Sequence, residues 1–256
     1  MTRLSILFFG VVVYAVFFGT FLYLIAFVGN LQATALAQWL PALPTLVPHS
    51  IDIGRESGPL GVAVAIDLAL IALFGLQHSV MARLGFKAWL KLKLPASAER
   101  SVYVLLASLM LILMFWQWRP IPGVLWSAAS MAGMAVGWTL FALGFAIVLL
   151  STFLIDHFDL FGLKQVWRQF VGRSAEPSHF VTPLFYRLIR HPLYAGFILA
   201  FWGTPTMTGG KLLFAVAMTA YILIAIQLEE KDLVHQLGER YEQYRQEVPM
   251  LVPGSK

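Results

Sequence analysis

Long apolar stretches are the feature of this sequence that most constrains its fold. Met131 to Ile155 contains no charged residue, and neither does Leu4 to Val28. A helix needs about 20 apolar residues to cross the hydrocarbon core of a bilayer, and within that core the backbone must satisfy its own hydrogen bonds. Charged residues make up only 12% of the 256-residue chain, about half the share found in ordinary soluble domains. The sequence therefore predicts an all-α, polytopic integral membrane helical bundle.

We expect four full spans followed by a C-terminal membrane hairpin, which gives five to six membrane helices. The predicted spans are Leu4 to Val28, Leu60 to Leu76, Tyr103 to Trp118 and Met131 to Ile155. The predicted hairpin has two arms and a turn, namely Leu193 to Met207, Leu212 to Leu228 and, between them, Thr208 to Lys211. The first arm is too short to cross a bilayer untilted, so the sequence leaves open whether the hairpin crosses fully.

The chain is predicted to form one membrane domain, because no internal repeat and no soluble second domain is visible. Residues 1–155 make up the four-span part and residues 156–256 a C-terminal region. The stretch from Gly133 to Gly137, with Gly144 two turns further along, predicts a helix face that a neighbouring helix approaches closely.

Lysine and arginine are unevenly distributed among the predicted loops. They are concentrated in residues 77–101, in residues 156–191 and in the tail after residue 228, whereas the opposite loops, Gly29 to Pro59 and Arg119 to Ser130, offer only Arg55 and Arg119. Positive residues collect on the cytoplasmic side of membrane proteins. Both termini are therefore predicted to be cytoplasmic. The net charge of +5 is explained by the orientation of the chain in the membrane, so no nucleic-acid partner is expected.

Four polar clusters fall on this predicted cytoplasmic side. They are Leu76 to Arg83 together with Glu99 to Tyr103, Ile155 to Trp167, Arg187 to Pro192, and Gln227 to Pro253. Each also has an ordinary interpretation, as a helix anchor, a helix cap or a solvated helix start. Because the topology brings all four to one interface, we expect a cavity with charged groups and apolar walls, suited to a zwitterionic cofactor and a lipophilic substrate.

No metal site is predicted. Asp156, His157 and Asp159 lie close together, but no matching pair of ligands occurs elsewhere in the chain. The absence of cysteine excludes thiolate ligands and a cysteine nucleophile.

The C-terminal polar residues resemble a known signature. Arg190-His191-Pro192-x-Tyr194, Glu229-Glu230 and Gly238-x-x-Tyr241-x-x-Tyr244 look like the signature of the isoprenylcysteine carboxyl methyltransferase group of membrane enzymes. The amino-terminal half is similar to nurim and to nitrite-reduction-associated membrane proteins, through the segments QHSVMAR and ERSVY. Within that set, the segment DHFDLFGLKQVW most resembles the bacterial methanethiol S-methyltransferases, which form dimethyl sulfide.

The resemblance implies S-adenosylmethionine as cofactor, methanethiol as acceptor and the bacterial inner membrane, with the active site facing the cytoplasm. Since the sequence lacks a Gly-x-Gly-x-x-Gly motif, the pocket must be built from helix ends. The implied cofactor-binding residues are Arg190, His191, Pro192, Tyr194, Glu229, Glu230 and Tyr241. Two alternatives stay open: methylation of another lipophilic thiol or an isoprenylcysteine carboxylate, and a non-enzymatic, nurim-like membrane protein.

Methyl transfer to a small thiol needs a group that removes the thiol proton, because such a thiol is a weak acid. His78 and His157 are the candidates, with Asp159 orienting His157. Each histidine can equally be an ordinary hydrogen-bonded residue at the interface. Arg190 offers a planar fork suited to the cofactor carboxylate, and Glu229 and Glu230 suit its ammonium group or its ribose hydroxyls.

Overall fold

The structure is a computed structural model that describes residues 2–174 and 181–255. Within these residues five helices are long and apolar enough to cross a membrane, and an eleven-residue apolar helix joins them. The long helices are α1 (Arg3–Gly29), α4 (Leu60–Ala82), α6 (Glu99–Gln117), α7 (Met131–Ile155) and α12 (Gly209–Leu237), and the shorter one is α11 (Pro192–Trp202). The predicted all-α membrane fold is confirmed.

Short helices occupy the connections. They are α2 (Leu36–Trp39), α3 (Leu43–Leu46), α5 (Leu84–Lys91), α8 (His157–Leu160), α9 (Leu163–Phe170), α10 (Phe185–Leu188) and α13 (Glu239–Glu247), with a 3-10 turn at Leu31–Ala33. We call the end of the bundle where α4 and α12 end, and where α6 and α11 begin, the basic end. It carries the three segments rich in lysine and arginine.

Hydroxyl side chains mark where three of the long helices begin. Thr2, Ser130 and Thr208 each accept a hydrogen bond from the backbone N–H three residues later. Such caps satisfy one of the N–H groups that the first helical turn leaves without a partner. The starts of α1, α7 and α12 are thus encoded locally, and α7 coincides with the predicted span.

The glycine face predicted on α7 is confirmed by its contact with α11. A Cβ atom on Gly144 would lie 2.5 Å from the backbone nitrogen of Ala200 and 2.7 Å from the carbonyl oxygen of Gly196. A Cβ atom on Gly137 would lie 2.6 Å from the backbone nitrogen of Pro205. The two helices therefore pack backbone against backbone, which holds the residues at the start of α11 in a fixed position.

The hairpin of α11 and α12 reaches the end of the bundle opposite the basic end. Its tip forms a strand, β2 (Thr206–Thr208), that pairs antiparallel with β1 (Val124–Ser127) in the loop after α6. Eleven helical residues span only about 16 Å. The extended residues after α11 therefore cover the remaining distance to the end of the bundle opposite the basic end. The sequence analysis missed this small sheet because β1 is four exposed residues with no alternating pattern, and its partner is distant in the chain.

A polar network fixes the hairpin tip to the ends of other helices. Asp52 accepts hydrogen bonds from the hydroxyl of Thr208, at 2.5 Å, and from the side-chain amide of Asn30. The buried ammonium group of Lys211 donates to the hydroxyl of Thr204 at 3.1 Å and to the carbonyl oxygen of Thr206 at 3.2 Å. This network joins α1, the loop before α4 and the start of α12.

Replacing Asp52 by alanine is expected to lower the free energy of unfolding by about 1 to 3 kcal/mol, because the hydroxyl of Thr208 and the amide of Asn30 lose their shared acceptor. Thermal unfolding in detergent measures the change. Glu56→Gln is the control, since Glu56 is an exposed residue of the same loop. Equal melting temperatures for the two variants would contradict a structural role for Asp52.

Candidate active site

Glu230 is the centre of a charged cluster at the basic end. One carboxylate oxygen accepts a hydrogen bond from Nε of Arg190 at 2.7 Å and lies 2.9 Å from Nε2 of His191. The other lies 3.2 Å from Nε of Arg245. The side chain of Glu230 is only 4% exposed, so this carboxylate is held out of water by three basic partners. We call these four residues the Glu230 cluster.

Arg190 also holds the C-terminal segment against the start of α11. Its Nη1 atom donates to the carbonyl oxygen of Val248 at 2.6 Å, and its backbone N–H donates to the carbonyl oxygen of Pro249 at 2.8 Å. The backbone N–H of His191 donates to the carbonyl oxygen of Met250 at 3.2 Å. The predicted cofactor residue Arg190 thus makes several structural contacts within the protein.

A glycine makes this arrangement possible. Gly238 has φ 56° and ψ −137°, a conformation that residues with a Cβ atom rarely adopt, and it separates α12 from α13. Helix α13 therefore turns back, which buries Tyr241 and brings Arg245 to Glu230. Tyr244, on the same helix, donates its hydroxyl to the carbonyl oxygen of Tyr186 at 2.5 Å.

Pro192 has a conformational role. It occupies the first turn of α11, where the missing N–H is not needed and the fixed φ favours the helix. It is buried and marks the point at which the chain passes from the non-helical backbone of His191 into α11.

A second polar group lies beside the Glu230 cluster and contains three tyrosines. Tyr194 donates its hydroxyl to Glu229 at 2.8 Å, and the hydroxyl of Tyr103 lies 2.8 Å from Nε2 of His78. The ring of Tyr221 packs against Phe74, and Phe74 stacks on His78. We call the five half-buried residues Tyr103, Tyr194, Tyr221, His78 and Glu229 the tyrosine cluster. It joins the inner turns of α4, α6, α11 and α12.

Arg83 connects the end of α4 to α12 next to this cluster. It donates to the carbonyl oxygen of Leu228 at 2.8 Å and pairs with Asp232 at 2.9 Å. These contacts lie on either side of Glu229 in the sequence of α12 and hold the end of α4 against α12.

His157 lies in different surroundings from His78. Its Nε2 atom is 2.9 Å from the hydroxyl of Tyr14, its Nδ1 atom is 2.8 Å from the hydroxyl of Thr152, and its ring stacks on Phe153. Its hydrogen-bonding partners belong to α1 and α7, whereas His78 contacts α6. Both ring nitrogens of His157 are therefore engaged in structural contacts.

Asp159 does not have the predicted role of orienting His157, because the two hydroxyl groups do so. The backbone N–H of Asp159 donates to Asp156, and its carbonyl oxygen accepts from Gln165. Asp159 thus belongs to the turn that forms α8. The structure brings Arg190 and His191 to Glu230, and Tyr194 to Glu229. His78 contacts Tyr103 instead, and Asp159 lies in the turn beside His157.

Titratable groups near α8 are shifted by burial and by charge. Burial lowers the pKa of His157, and the nearby carboxylate of Asp156 opposes this shift. Burial alone would raise the pKa of Asp156, but its bond to Lys164 and the N–H of Asp159 lower that pKa below its usual value. In α13, burial raises the pKa of Tyr244 to about 12.

The buried, neutral His157 predicts a loss of stability in mild acid. Its pKa is lower in the folded than in the unfolded chain, so the unfolded chain binds the extra proton first, and stability falls as the pH drops below the unfolded value of about 6.5. His157→Gln is expected to reduce the slope of melting temperature against pH in this range. His235→Gln, at an exposed position, should leave the slope unchanged. Equal slopes for wild type and His157→Gln would contradict this account.

A cleft of about 280 Å³ lies next to the Glu230 cluster. It is lined by Gln227, Glu230, Lys231, Val234 and Arg245. Groups of both charges therefore border a space at the basic end, as expected for a site that receives a zwitterionic molecule.

Comparison with known proteins places these features in a family. A model of the phospholipid methyltransferase family matches residues 132–240. Methanethiol S-methyltransferase 2 of Bradyrhizobium diazoefficiens is 49% identical over 98% of this chain and 91% of its own length. The chain belongs to the methanethiol S-methyltransferase family. A methanethiol S-methyltransferase of Mycobacterium tuberculosis is 47% identical over 99% of this chain and 98% of the relative.

Nurim of Sus scrofa is a more distant relative. It is 32% identical to this chain over 67% of the chain and 68% of nurim. The resemblances that the sequence motifs indicated to both protein groups are confirmed. No solved structure matches the chain closely enough to count as similar.

Sequence reasoning missed three residues of this site. Tyr103 ends the segment ERSVY and Tyr221 lies within an apolar helix, where neither has a local pattern that separates it from ordinary packing. Arg245 directly follows the tyrosine motif. Gly238 could have indicated its position, because a glycine between two helices predicts that the chain reverses there.

Proposed function

We propose that this protein transfers a methyl group from S-adenosylmethionine to methanethiol, giving dimethyl sulfide and S-adenosylhomocysteine. The observation that carries the proposal is the convergence of the Glu230 cluster and the tyrosine cluster at one end of the bundle. Charged groups suited to the cofactor then lie beside a histidine and tyrosines suited to a thiol. The similarity to named methanethiol S-methyltransferases over nearly the whole chain supports this acceptor.

The residues at the basic end fit S-adenosylmethionine. When bound, this molecule supplies an electrophilic methyl group on a positively charged sulfur. Glu229 is half-buried and contacts the neutral phenol of Tyr194, so its negative charge suits the ammonium group or the sulfonium. Arg245 is 44% exposed and lines the cleft, so its guanidinium suits the carboxylate.

Arg190 has a different role in this proposal from the one its sequence suggested. Because its Nε and Nη1 atoms bind Glu230 and backbone carbonyl groups, Arg190 positions Glu230 and the C-terminal segment. Arg245 instead presents its guanidinium to the cofactor. His191 and Tyr194 supply a hydrogen-bonding group and an aromatic wall at the start of α11.

The acceptor side of the site is assigned to the tyrosine cluster. His78 stacks on Phe74, with ring centroids 5.3 Å apart, and both lie on α4 close to apolar surface. Methanethiol is small, uncharged and soluble in lipid, so it suits a site reached from the bilayer. His78 is the base of the proposal, because a positioned histidine near neutral pH can accept the thiol proton.

The distribution of positive residues supports a location in a bacterial inner membrane, with both termini and the active site facing the cytoplasm. Lipid therefore surrounds the apolar faces of the long helices. The acceptor enters from the bilayer, whereas the charged cofactor enters from water at the basic end.

The proposal is tested with purified protein in detergent, S-adenosylmethionine with a deuterated methyl group, and a panel of acceptors. The panel contains methanethiol, longer alkyl thiols, an isoprenylcysteine and phosphatidylethanolamine. We expect mass-shifted dimethyl sulfide in the headspace with methanethiol. Product from the isoprenylcysteine or the phospholipid alone would assign another acceptor. No product, together with no binding of S-adenosylhomocysteine, would favour the non-enzymatic alternative.

A further inference from the structure

Two short helices at the basic end, α5 and α9, lie in stretches that carry charge of only one sign. Neither residues 84–98 nor residues 163–174 contain an aspartate or a glutamate. The basic residues of the two stretches are Lys87, Lys91, Lys93, Lys164, Arg168 and Arg173. None of them belongs to the site assigned above to the cofactor and the acceptor, so their concentration here calls for another explanation.

Helix α9 has an apolar stripe that the rest of the protein covers only in part. Leu163, Val166, Trp167 and Phe170 follow the i, i+3, i+4, i+7 spacing of one helix face. Val166 is fully buried and packs on α1, where a Cβ atom on Gly10 would lie 2.6 Å from it. In contrast, Trp167 is 54% exposed and Phe170 is 37% exposed. This half of the stripe faces away from the protein.

The contact with α1 sets the depth of α9 in the membrane. Gly10 lies about two turns, or about 10 Å, beyond the start of α1 at Arg3. Helix α9 is therefore level with the first turns of a membrane-spanning helix, which is the depth of the boundary between lipid headgroups and acyl chains. Tryptophan is enriched at this depth because its ring is amphipathic.

Helix α5 presents the same combination of basic and exposed apolar residues. Its Leu90 is buried, whereas Trp89 is 52% exposed and Leu92, directly after the helix, is 81% exposed. The chain between α5 and α6 is joined to α9, because Ser97 hydrogen-bonds to Gln169. The two helices thus belong to one basic, partly apolar surface around the base of the bundle.

Two arginines stand at the end of α9, beside its exposed aromatic residues. Arg3 and Arg173 are exposed, and a guanidinium nitrogen of Arg3 lies 3.3 Å from the position of a Cβ atom on Gly172. No ion pair links either arginine to a carboxylate of the described residues, 2–174 and 181–255. We call Arg3 and Arg173, together with Trp167 and Phe170, the α9 rim.

We propose that the α9 rim binds a phospholipid of net negative charge, with the headgroup phosphate on Arg3 and Arg173 and the acyl chains along Trp167 and Phe170. Guanidinium groups bind phosphate through charge-assisted hydrogen bonds, and the aromatic rings lie where acyl chains begin. This inference goes beyond the proposed function and does not depend on it.

The preference for an anionic lipid follows from the missing acidic residues. A choline or ethanolamine headgroup brings an ammonium group that needs an anionic partner, and the stretches around α5 and α9 offer none. A phosphatidylglycerol headgroup brings only the negative charge of its phosphate. The surface therefore selects net charge in addition to binding phosphate.

The test titrates dioleoylphosphatidylglycerol or dioleoylphosphatidylcholine into the purified protein in detergent and measures the lipid-bound fraction by native mass spectrometry. We expect wild type to bind phosphatidylglycerol at least about fivefold more tightly than phosphatidylcholine. Arg173→Gln should bind phosphatidylglycerol about fivefold more weakly than wild type, the usual contribution of one basic residue at an anionic membrane surface. The double variant Arg3→Gln/Arg173→Gln should lose at least about tenfold.

Arg240→Gln is the matched control. It removes the same charge from an exposed position of α13, which has no exposed tryptophan, so phosphatidylglycerol affinity should stay within about twofold of wild type. All of these positions are exposed, so the variants should fold.

A second readout locates the acyl chains. Phosphatidylglycerol brominated on its acyl chains quenches nearby tryptophans, and at equal lipid concentration it should quench wild type more strongly than Trp167→Phe. The loss of the quenched Trp167 signal would place the chains along α9.

Three outcomes would overturn the inference. They are equal affinity of wild type for the two lipids, equal phosphatidylglycerol affinity of Arg173→Gln and Arg240→Gln, and equal quenching of wild type and Trp167→Phe. Each of them concerns only the lipid surface and leaves the proposed methyl transfer intact.

Discussion

Replacing Glu230 by glutamine is expected to lower the free energy of unfolding by about 3 to 5 kcal/mol, the usual effect of removing one partner from a buried ion pair. The guanidinium of Arg190 is only 11% exposed and would lose its charged partner. Arg245 and His191 would lose theirs too, so the C-terminal segment should detach from α11. Thermal unfolding in detergent measures this loss of stability. The rate of methyl transfer should also fall by at least about 1,000-fold, because a free-energy cost of about 4 kcal/mol for assembling the site corresponds to that factor.

Glu239→Gln is the control for this prediction. Glu239 is an exposed carboxylate at the start of α13, so its replacement should change the free energy of unfolding by no more than about 0.5 kcal/mol. If Glu230→Gln unfolds at the same temperature as this control, the carboxylate is not the centre that holds α11, α12 and α13 together.

The second large effect is expected from Gly144→Ala, which should lower the free energy of unfolding by about 3 kcal/mol. The added methyl group would lie 2.5 Å from a backbone nitrogen of α11, and backbone atoms cannot turn aside as a flexible side chain can. Helix α11 must then move away from α7, and it carries His191 and Tyr194 with it. Binding of S-adenosylhomocysteine, measured by calorimetry in detergent, should weaken together with stability.

Gly19→Ala gives the matched control, because it makes the same change in another membrane helix. No atom outside the local helix backbone lies within 4 Å of a Cβ atom at Gly19, so the variant should be as stable as wild type or slightly more stable, given the better helix propensity of alanine. Equal stability of Gly144→Ala and Gly19→Ala would show that the close packing of α7 and α11 is not required.

Much of the fold follows from local sequence. Apolar runs predicted every long helix, and the hydroxyl caps fix where several of them begin. The hairpin was harder, because an arm of eleven helical residues does not reveal whether it reaches the far side. That depends on Asp52 and β1, which lie far from the hairpin in the chain and contact its tip only after folding.

The site was predictable where a motif carried it. The spacing of Arg190 and His191 with Glu229 and Glu230 indicated one cluster, and the structure places Arg190 and His191 on Glu230. The sequence did not separate His78 from His157, since each follows a predicted span and each lies next to polar residues. What separates them is the set of distant partners, Tyr103 for one and Tyr14 with Thr152 for the other.

The central claim is that the charged cofactor binds at the basic end, next to the carboxylate of Glu229. Calorimetric titration of S-adenosylhomocysteine into wild type and Glu229→Gln tests it directly, with Glu56→Gln as a control at the opposite end of the bundle. Glu229 accepts a hydrogen bond from the hydroxyl of Tyr194. The side-chain oxygen of glutamine can accept the same bond, so the fold should be retained. We expect wild type and Glu56→Gln to bind equally and Glu229→Gln to bind at least about tenfold more weakly, since loss of one charged contact exceeds about 1.4 kcal/mol. Equal affinity in all three proteins would contradict the account.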